Sequence, residues 1–175
     1  MRLGRNLGDH PHDVLKYVLD KNPQGHAVEF GVYKGTTLAL IAEHMPVTGF
    51  DSGQGLPEDW RPGFGKGRFA WKQPPTVPNA DLMIGMFEDT LPTWSPPDTL
   101  GLVHIDCDLY SSTVTVLRYL EPYLLPGCWI VFDEFHGYPG AQEHEAKAWS
   151  EFKDRTGIKT RVHGHGPEQL AIRVE

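Results

Sequence analysis

The chain has 175 residues, 39% of them hydrophobic, so it is of single-domain length and can bury a core without disulfide or metal staples. A formal net charge of −7 argues against nonspecific binding to nucleic acid or to an anionic membrane surface. No apolar run approaches the ~20 residues of a membrane span, and the two arginines of residues 1–6 have no apolar stretch behind them, so no secretion signal is read there and a cytoplasmic location is expected. The two cysteines, Cys107 and Cys128, lie in or beside apolar strand candidates and read as reduced core residues.

Residues 1–12 are polar and Gly-bearing and read as a loose arm. Residues 13–19 place Val14, Leu15, Val18 and Leu19 at helical spacing before the stop signal Asn22-Pro23. Residues 27–32 form the first strand and run into Gly31 and Gly35, with an apolar helix over 38–45 that Thr36 or Thr37 could cap. Bare amides at such a turn suit a carboxylate or phosphate. The glycine spacing, however, is neither the dinucleotide fingerprint nor a P-loop. Glu29 would disfavour a pyrophosphate there and welcome an ammonium or sulfonium. A second strand, 47–50, ends in Asp51-Ser52. Asp51 comes about twenty residues after the turn, where doubly wound folds place an acid on a ribose diol.

Residues 53–81 are rich in Gly and Pro and carry Trp60, Phe64, Phe69 and Trp71. A loop of this length with aromatics reads as a mobile flap. A third strand is expected over 82–87, a fourth over 100–105, a helix over 111–125 closed by Pro126-Gly127, and a fifth strand over 128–132. A helix over 142–152 follows, in which Glu143-His144-Glu145 reads as solvated surface. Two last strands, 160–163 and 169–174, share a short connector and should pair antiparallel. The order implies one α/β domain spanning 1–175, with a seven-stranded, mostly parallel sheet and a C-terminal antiparallel hairpin.

The fourth and fifth strands both run into acidic pairs, Asp106 with Asp108 and Asp133 with Glu134. Ligands in open α/β sheets bind beyond the carboxyl ends of the strands. Two such ends side by side point to one acidic metal or substrate pocket. Carboxylates alone make a hard oxygen site suited to Mg²⁺, Mn²⁺ or Ca²⁺. His104 lies inside an apolar strand and reads as a core histidine; His136 follows the second acid pair and could reach substrate.

In order along the chain stand Glu29-Phe30-Gly31-Val32-Tyr33-Lys34-Gly35, Phe50-Asp51-Ser52, Gly55-Leu56-Pro57-Glu58, Asp89-Thr90-Leu91-Pro92, His104-Ile105-Asp106-Cys107-Asp108-Leu109-Tyr110 and Phe132-Asp133-Glu134. Together they resemble the macrocin O-methyltransferase (TylF-type) family of class I S-adenosylmethionine-dependent enzymes. The resemblance implies a Rossmann-like class I methyltransferase fold with helices on both sheet faces. It also implies methylation of a hydroxyl on a sugar or natural product, with a divalent metal, usually magnesium. Carried over by position, Glu29, Gly31 and Gly35, with Thr36 and Thr37 behind them, would frame the methionine part of the cofactor. Asp51 and Ser52 would hold the ribose, and Met86 and Phe87 would lie near adenine. Asp106, Asp133 and Glu134 would bind the metal, and Asp108 would be the general base. The later pair ends in Glu where some family members carry Asp. The implied partner is a small-molecule acceptor, and a homodimer is compatible with the reading. Competing readings of the Asp-x-Asp pair are a metal-dependent phosphatase, a glycosyltransferase, and a cofactor-binding module without turnover.

Overall fold

The strands in the middle of the sheet have both faces covered, so even their polar side chains are buried. In a computed structural model describing residues 2–175, these are β2 (His26–Phe30), β5 (Leu100–Ile105) and β6 (Trp129–Phe132), buried along their whole lengths. The other strands are β1 (Arg5–Asn6), β3 (Val47–Asp51), β4 (Ala80–Ile84), β7 (Thr160–His165) and β8 (Leu170–Val174). The eight-stranded order is β1-β7-β8-β6-β5-β2-β3-β4. All pairs are parallel except β7–β8, the expected C-terminal antiparallel hairpin, and β6–β8, which joins that hairpin to the parallel strands.

Side chains alternate between two covered faces, as strand geometry requires. Ala27, Leu102, Trp129, Val131 and Ala171 pack with helices α1 (Asp13–Leu19) and α2 (Thr36–Ala42). Val28, Phe30, Val103, Ile105, Ile130, Phe132 and Ile172 pack under α4 (Tyr110–Leu120) and α5 (Glu145–Thr156). The short helix α3 (Phe87–Thr90) lies on that second face through Phe87. Phe30, Phe50 and Phe132 are fully buried, each contributing about 1.5–3 kcal/mol from its burial. Among the described residues no helix is long and apolar enough to cross a membrane.

Four expectations are corrected. The arm is partly a strand, Arg5 pairing with Gly164 and Asn6 with His165, and it makes the sheet eight-stranded rather than seven-stranded. Gly164 makes this approach feasible, since a Cβ there would meet the Arg5 carbonyl at 2.6 Å. The third strand is Ala80–Ile84 rather than 82–87, because Gly85 turns the chain back to Asp51 (N–O 3.1 Å) and Met86 starts α3. Helix α2 begins at Thr36 with Gly35 as its N-cap at φ +77, so neither Thr36 nor Thr37 caps it. The helix expected over 111–125 breaks at Leu120, where Pro122 tightens the chain into a 3-10 turn.

Candidate active site

Sheet order reverses at β2: the chain winds outward through β3 and β4, then returns to place β5 on the other side of β2. Such a switch point opens a crevice at the strand ends. The first element to enter it is Gly31, at φ +89. A Cβ at this position would run into the Asp106 carbonyl, so only glycine lets the ends of β2 and β5 come this close. Gly31→Ala should therefore destabilise the fold by more than about 1 kcal/mol and weaken whatever the crevice binds; thermal melts and ligand titration of that variant check it. Asp51, at the end of β3, pins the turn. Its Oδ2 accepts the Val32 and Tyr33 amides at 2.9 Å each, and its Oδ1 accepts the Gly53 amide at 2.7 Å.

The crevice is a cavity of about 380 Å³. Of the residues that the sequence reading put at the cofactor, Gly31, Asp51, Ser52, Met86 and Phe87 line it. Glu29, Gly35, Thr36 and Thr37 do not. Gly35 abuts Pro75 and Val77. Glu29 is fully buried under the α1–α2 face, because residue 29 shares the parity of Ala27 rather than of Val28.

At the far end of the cavity stand Asp106, Asp108 and Glu134, each offering a carboxylate oxygen within 4.8 Å of the others. Backbone ladders aim them: the Asp106 amide bonds the Phe30 carbonyl and the Asp133 amide bonds the Ile105 carbonyl, both at 2.9 Å. Asp108 is 5% exposed and holds φ +64, a left-handed conformation that Asp tolerates better than most residues. Strain of this kind gathers at functional sites. Burial pushes the Asp108 carboxyl up to about 7. Burial, then the neighbouring Asp133 charge, raises Asp106 and Glu134 well above the usual carboxylate range. Glu134 Oε2 is buried without a hydrogen-bond partner. Three oxygens this close with an orphan among them call for protons or a cation between them, and the all-oxygen donor set fits a hard divalent ion.

Asp133 stands apart from this trio. Its Oδ1 lies 3.6 Å from His104 Nε2, an ion-pair rather than hydrogen-bond separation. His104 Nδ1 is 2.9 Å from Glu29 Oε1. Burial alone would lower the imidazole pKa, but the facing carboxylates of Asp133 and Glu29 outweigh it and raise that pKa well above its ordinary value.

Glu145 is the residue that sequence reasoning missed. Expected at a solvated surface, it is 0% exposed at the start of α5, and its Oε2 accepts the Glu134 amide at 3.1 Å. Its other oxygen is buried and unpartnered. Burial, then the charge of Asp108, raises its pKa. The signal was available in the spacing 145, 148, 149, 152, which puts Glu145 on the stripe of Ala148, Trp149 and Phe152. His136 does not line the cavity; its Nε2 faces the Gln169 carbonyl at 3.2 Å. Cys107 and Cys128 are free and buried, as expected.

The segment read as a flap lies over the cavity. Gly55, Leu56, Pro57 and Phe69 line it. The loop is closed on itself by Leu56 N–H to Arg68 O and Gly67 N–H to Leu56 O, both 2.8 Å. Arg61 ties it to the β7–β8 connector, with Nη1 3.0 Å from Glu168 Oε2. The guanidinium sits 4.0 Å from the Trp60 ring centroid and 4.3 Å from that of Tyr138.

Three comparisons bear on this geometry. Demethyldecarbamoylnovobiocin O-methyltransferase of Streptomyces niveus is 29% identical over 154 residues, covering 72% of this chain and 58% of that protein. Mycinamicin III 3''-O-methyltransferase of Micromonospora griseorubida is 35% identical over 81 residues, covering 46% and 30%. The chain therefore spans less than two thirds of the length of either. The solved structure of the O-methyltransferase NovP superposes with a TM-score of 0.72 at 21% identity, over 93% of this chain and 77% of that one, which shows a shared fold. The family model for macrocin-O-methyltransferase (TylF) matches residues 77–164, half of the chain, from the strand before Met86 to the hairpin beyond the acid cluster. With that match added to the shared fold, the chain belongs to the macrocin-O-methyltransferase (TylF) family.

Proposed function

We propose that this chain methylates a hydroxyl of a small molecule, a sugar or a natural product, using S-adenosylmethionine and a divalent cation such as Mg²⁺. The observation that carries this is one cavity joining the Gly31 turn to the acid trio, a cofactor wall at one end and a hard-cation site at the other. Asp51 and Ser52 take the ribose side, and Met86 and Phe87 supply the apolar wall for adenine. Asp106 and Glu134, with Asp133 beside them, hold the cation. When bound, that cation would lower the pKa of an acceptor hydroxyl and orient it. Asp108 accepts the hydroxyl proton; a carboxyl raised to about 7 is matched to that task near neutral pH. Residues 53–72 cover the reactants and exclude water, with Arg61–Glu168 as the clasp. The cofactor's sulfonium is already an activated methyl donor, so the protein's contribution is positioning and desolvation.

Calorimetric titration with S-adenosylhomocysteine, with and without Mg²⁺, tests the reading. The nucleoside should bind, and Asp51→Ala should weaken it by roughly 1–3 kcal/mol through lost hydrogen bonds. Tight NAD binding with no S-adenosylhomocysteine binding would overturn the cofactor assignment.

A further inference from the structure

Two buried polar residues, Glu29 and His104, take no part in the chemistry above. Glu29 on β2 and His104 on β5 sit opposite each other in register, both 0% exposed, joined at 2.9 Å. On its other side the imidazole reaches Asp133, just beyond β6, at 3.6 Å. Glu29 and His104 lie side by side on the α1–α2 face, and Asp133 stands two residues beyond Val131, the residue in register with His104 on β6. Their same-face neighbours along the strands, Ala27, Leu102 and Val131, are all apolar. A buried charged row is a poor way to add stability, since well-packed apolar side chains in its place are often as good or better. Glu29 Oε2 and His104 Nε2 even lack hydrogen-bond partners. The row is thus unexplained by packing, and it ends on an acid that neighbours the trio without belonging to it: Asp133, 16% exposed at its side chain, adjacent to Glu134.

Resting on the cation reading of the site, we propose that Glu29 and His104 are positioning residues for Asp133. Glu29 fixes the imidazole through Nδ1, and the Nε2 edge holds one Asp133 oxygen, leaving the second for the cation. This is the arrangement in which groups behind a ligand set its orientation and basicity, and their loss costs roughly 10–100-fold in metal affinity. Neither residue touches acceptor or cofactor. Their effect passes through the carboxylate of Asp133.

The test is Mn²⁺ binding to the purified chain, read by calorimetry and by the spin resonance of free Mn²⁺, beside S-adenosylhomocysteine affinity measured without metal. His104→Gln should weaken Mn²⁺ by roughly 10–100-fold and leave S-adenosylhomocysteine affinity unchanged. Glu29→Gln should lower Mn²⁺ affinity in the same direction. A merely structural role would lower both affinities together, and that result overturns the proposal. So does wild-type Mn²⁺ affinity in folded His104→Gln. If His104→Gln does not fold, Glu29→Gln, which keeps the side-chain shape, decides by the same two affinities. If the unaltered chain binds S-adenosylhomocysteine but no Mn²⁺ or Mg²⁺, the cation reading falls and takes this proposal with it. Bound Mn²⁺ that ignores both substitutions removes the positioning role alone.

Discussion

Asp108→Asn is expected to cut methyl transfer by roughly 10²–10⁴-fold, the range for loss of a general base, while S-adenosylhomocysteine and divalent cation still bind. Asn is nearly isosteric with Asp and tolerates the left-handed backbone at φ +64, so the turn into α4 should survive. What disappears is a carboxyl that burial has brought to about 7, where it can hold or release a proton at neutral pH. Asp106→Asn should act differently. It should lower cation affinity, with activity partly restored by raising the cation concentration. The two variants separate the roles cleanly because all three acids of the trio lie within 4.8 Å and could exchange them. If Asp108→Asn loses the cation while Asp106→Asn keeps it, the base and the ligand are reversed.

Metal-free protein is expected to melt several degrees higher near pH 5 than near pH 8, and a divalent cation should remove much of the difference. Asp106, Asp108, Glu134 and Glu145 all have carboxyl pKa values raised in the fold. The folded state therefore keeps protons that the unfolded chain releases at about 4. Their favourable contribution is fully present below that value and is lost as pH rises through the folded pKa, about 7 for Asp108. His104, also raised, adds in the same direction, its contribution being lost as pH rises through its own folded pKa. In a chain of this size each kcal/mol moves Tm by about 2–4 °C. A cation at a hundred times its Kd restores about 2.7 kcal/mol, and should do so mainly at pH 8, because at pH 5 protons compete for the same oxygens. Melting curves across this range, with Mg²⁺ and with EDTA, check it. A metal-free Tm that rises from pH 5 to pH 8, or curves identical in Mg²⁺ and EDTA, would sink the shared-charge account of the cluster.

The parts of the fold legible in the sequence are those written as continuous apolar runs. The strand cores at 100–105 and 128–132 announce themselves as buried on both faces, and the acids that follow them mark the carboxyl edge of the sheet. The helix at Asp13–Leu19 has apolar residues at helical spacing and a stop signal after them, and it forms where they predict. Strand β1 was not legible: two polar residues carry no periodicity, and they pair only because Gly164 leaves room for the Arg5 carbonyl. The flap's composition was readable, but its clasp was not, since Arg61 and Glu168 lie 107 positions apart.

By itself the sequence determined that two acidic strand ends exist and that Gly31 opens a turn near them. Only the tertiary structure decided which carboxylates meet. Asp133 and Glu134, adjacent in the chain just beyond the end of β6, part company. Glu134 joins Asp106 and Asp108 in the cavity, and Asp133 goes to His104. Glu29 was placed the same way, below the sheet rather than at the cofactor wall, by its in-register position opposite His104. Glu145 entered the site because α5 lays its Trp149 stripe on Phe132, bringing a buried carboxylate to the Glu134 amide. Register between strands and the docking of a helix are relations between distant segments, and no local pattern encodes them.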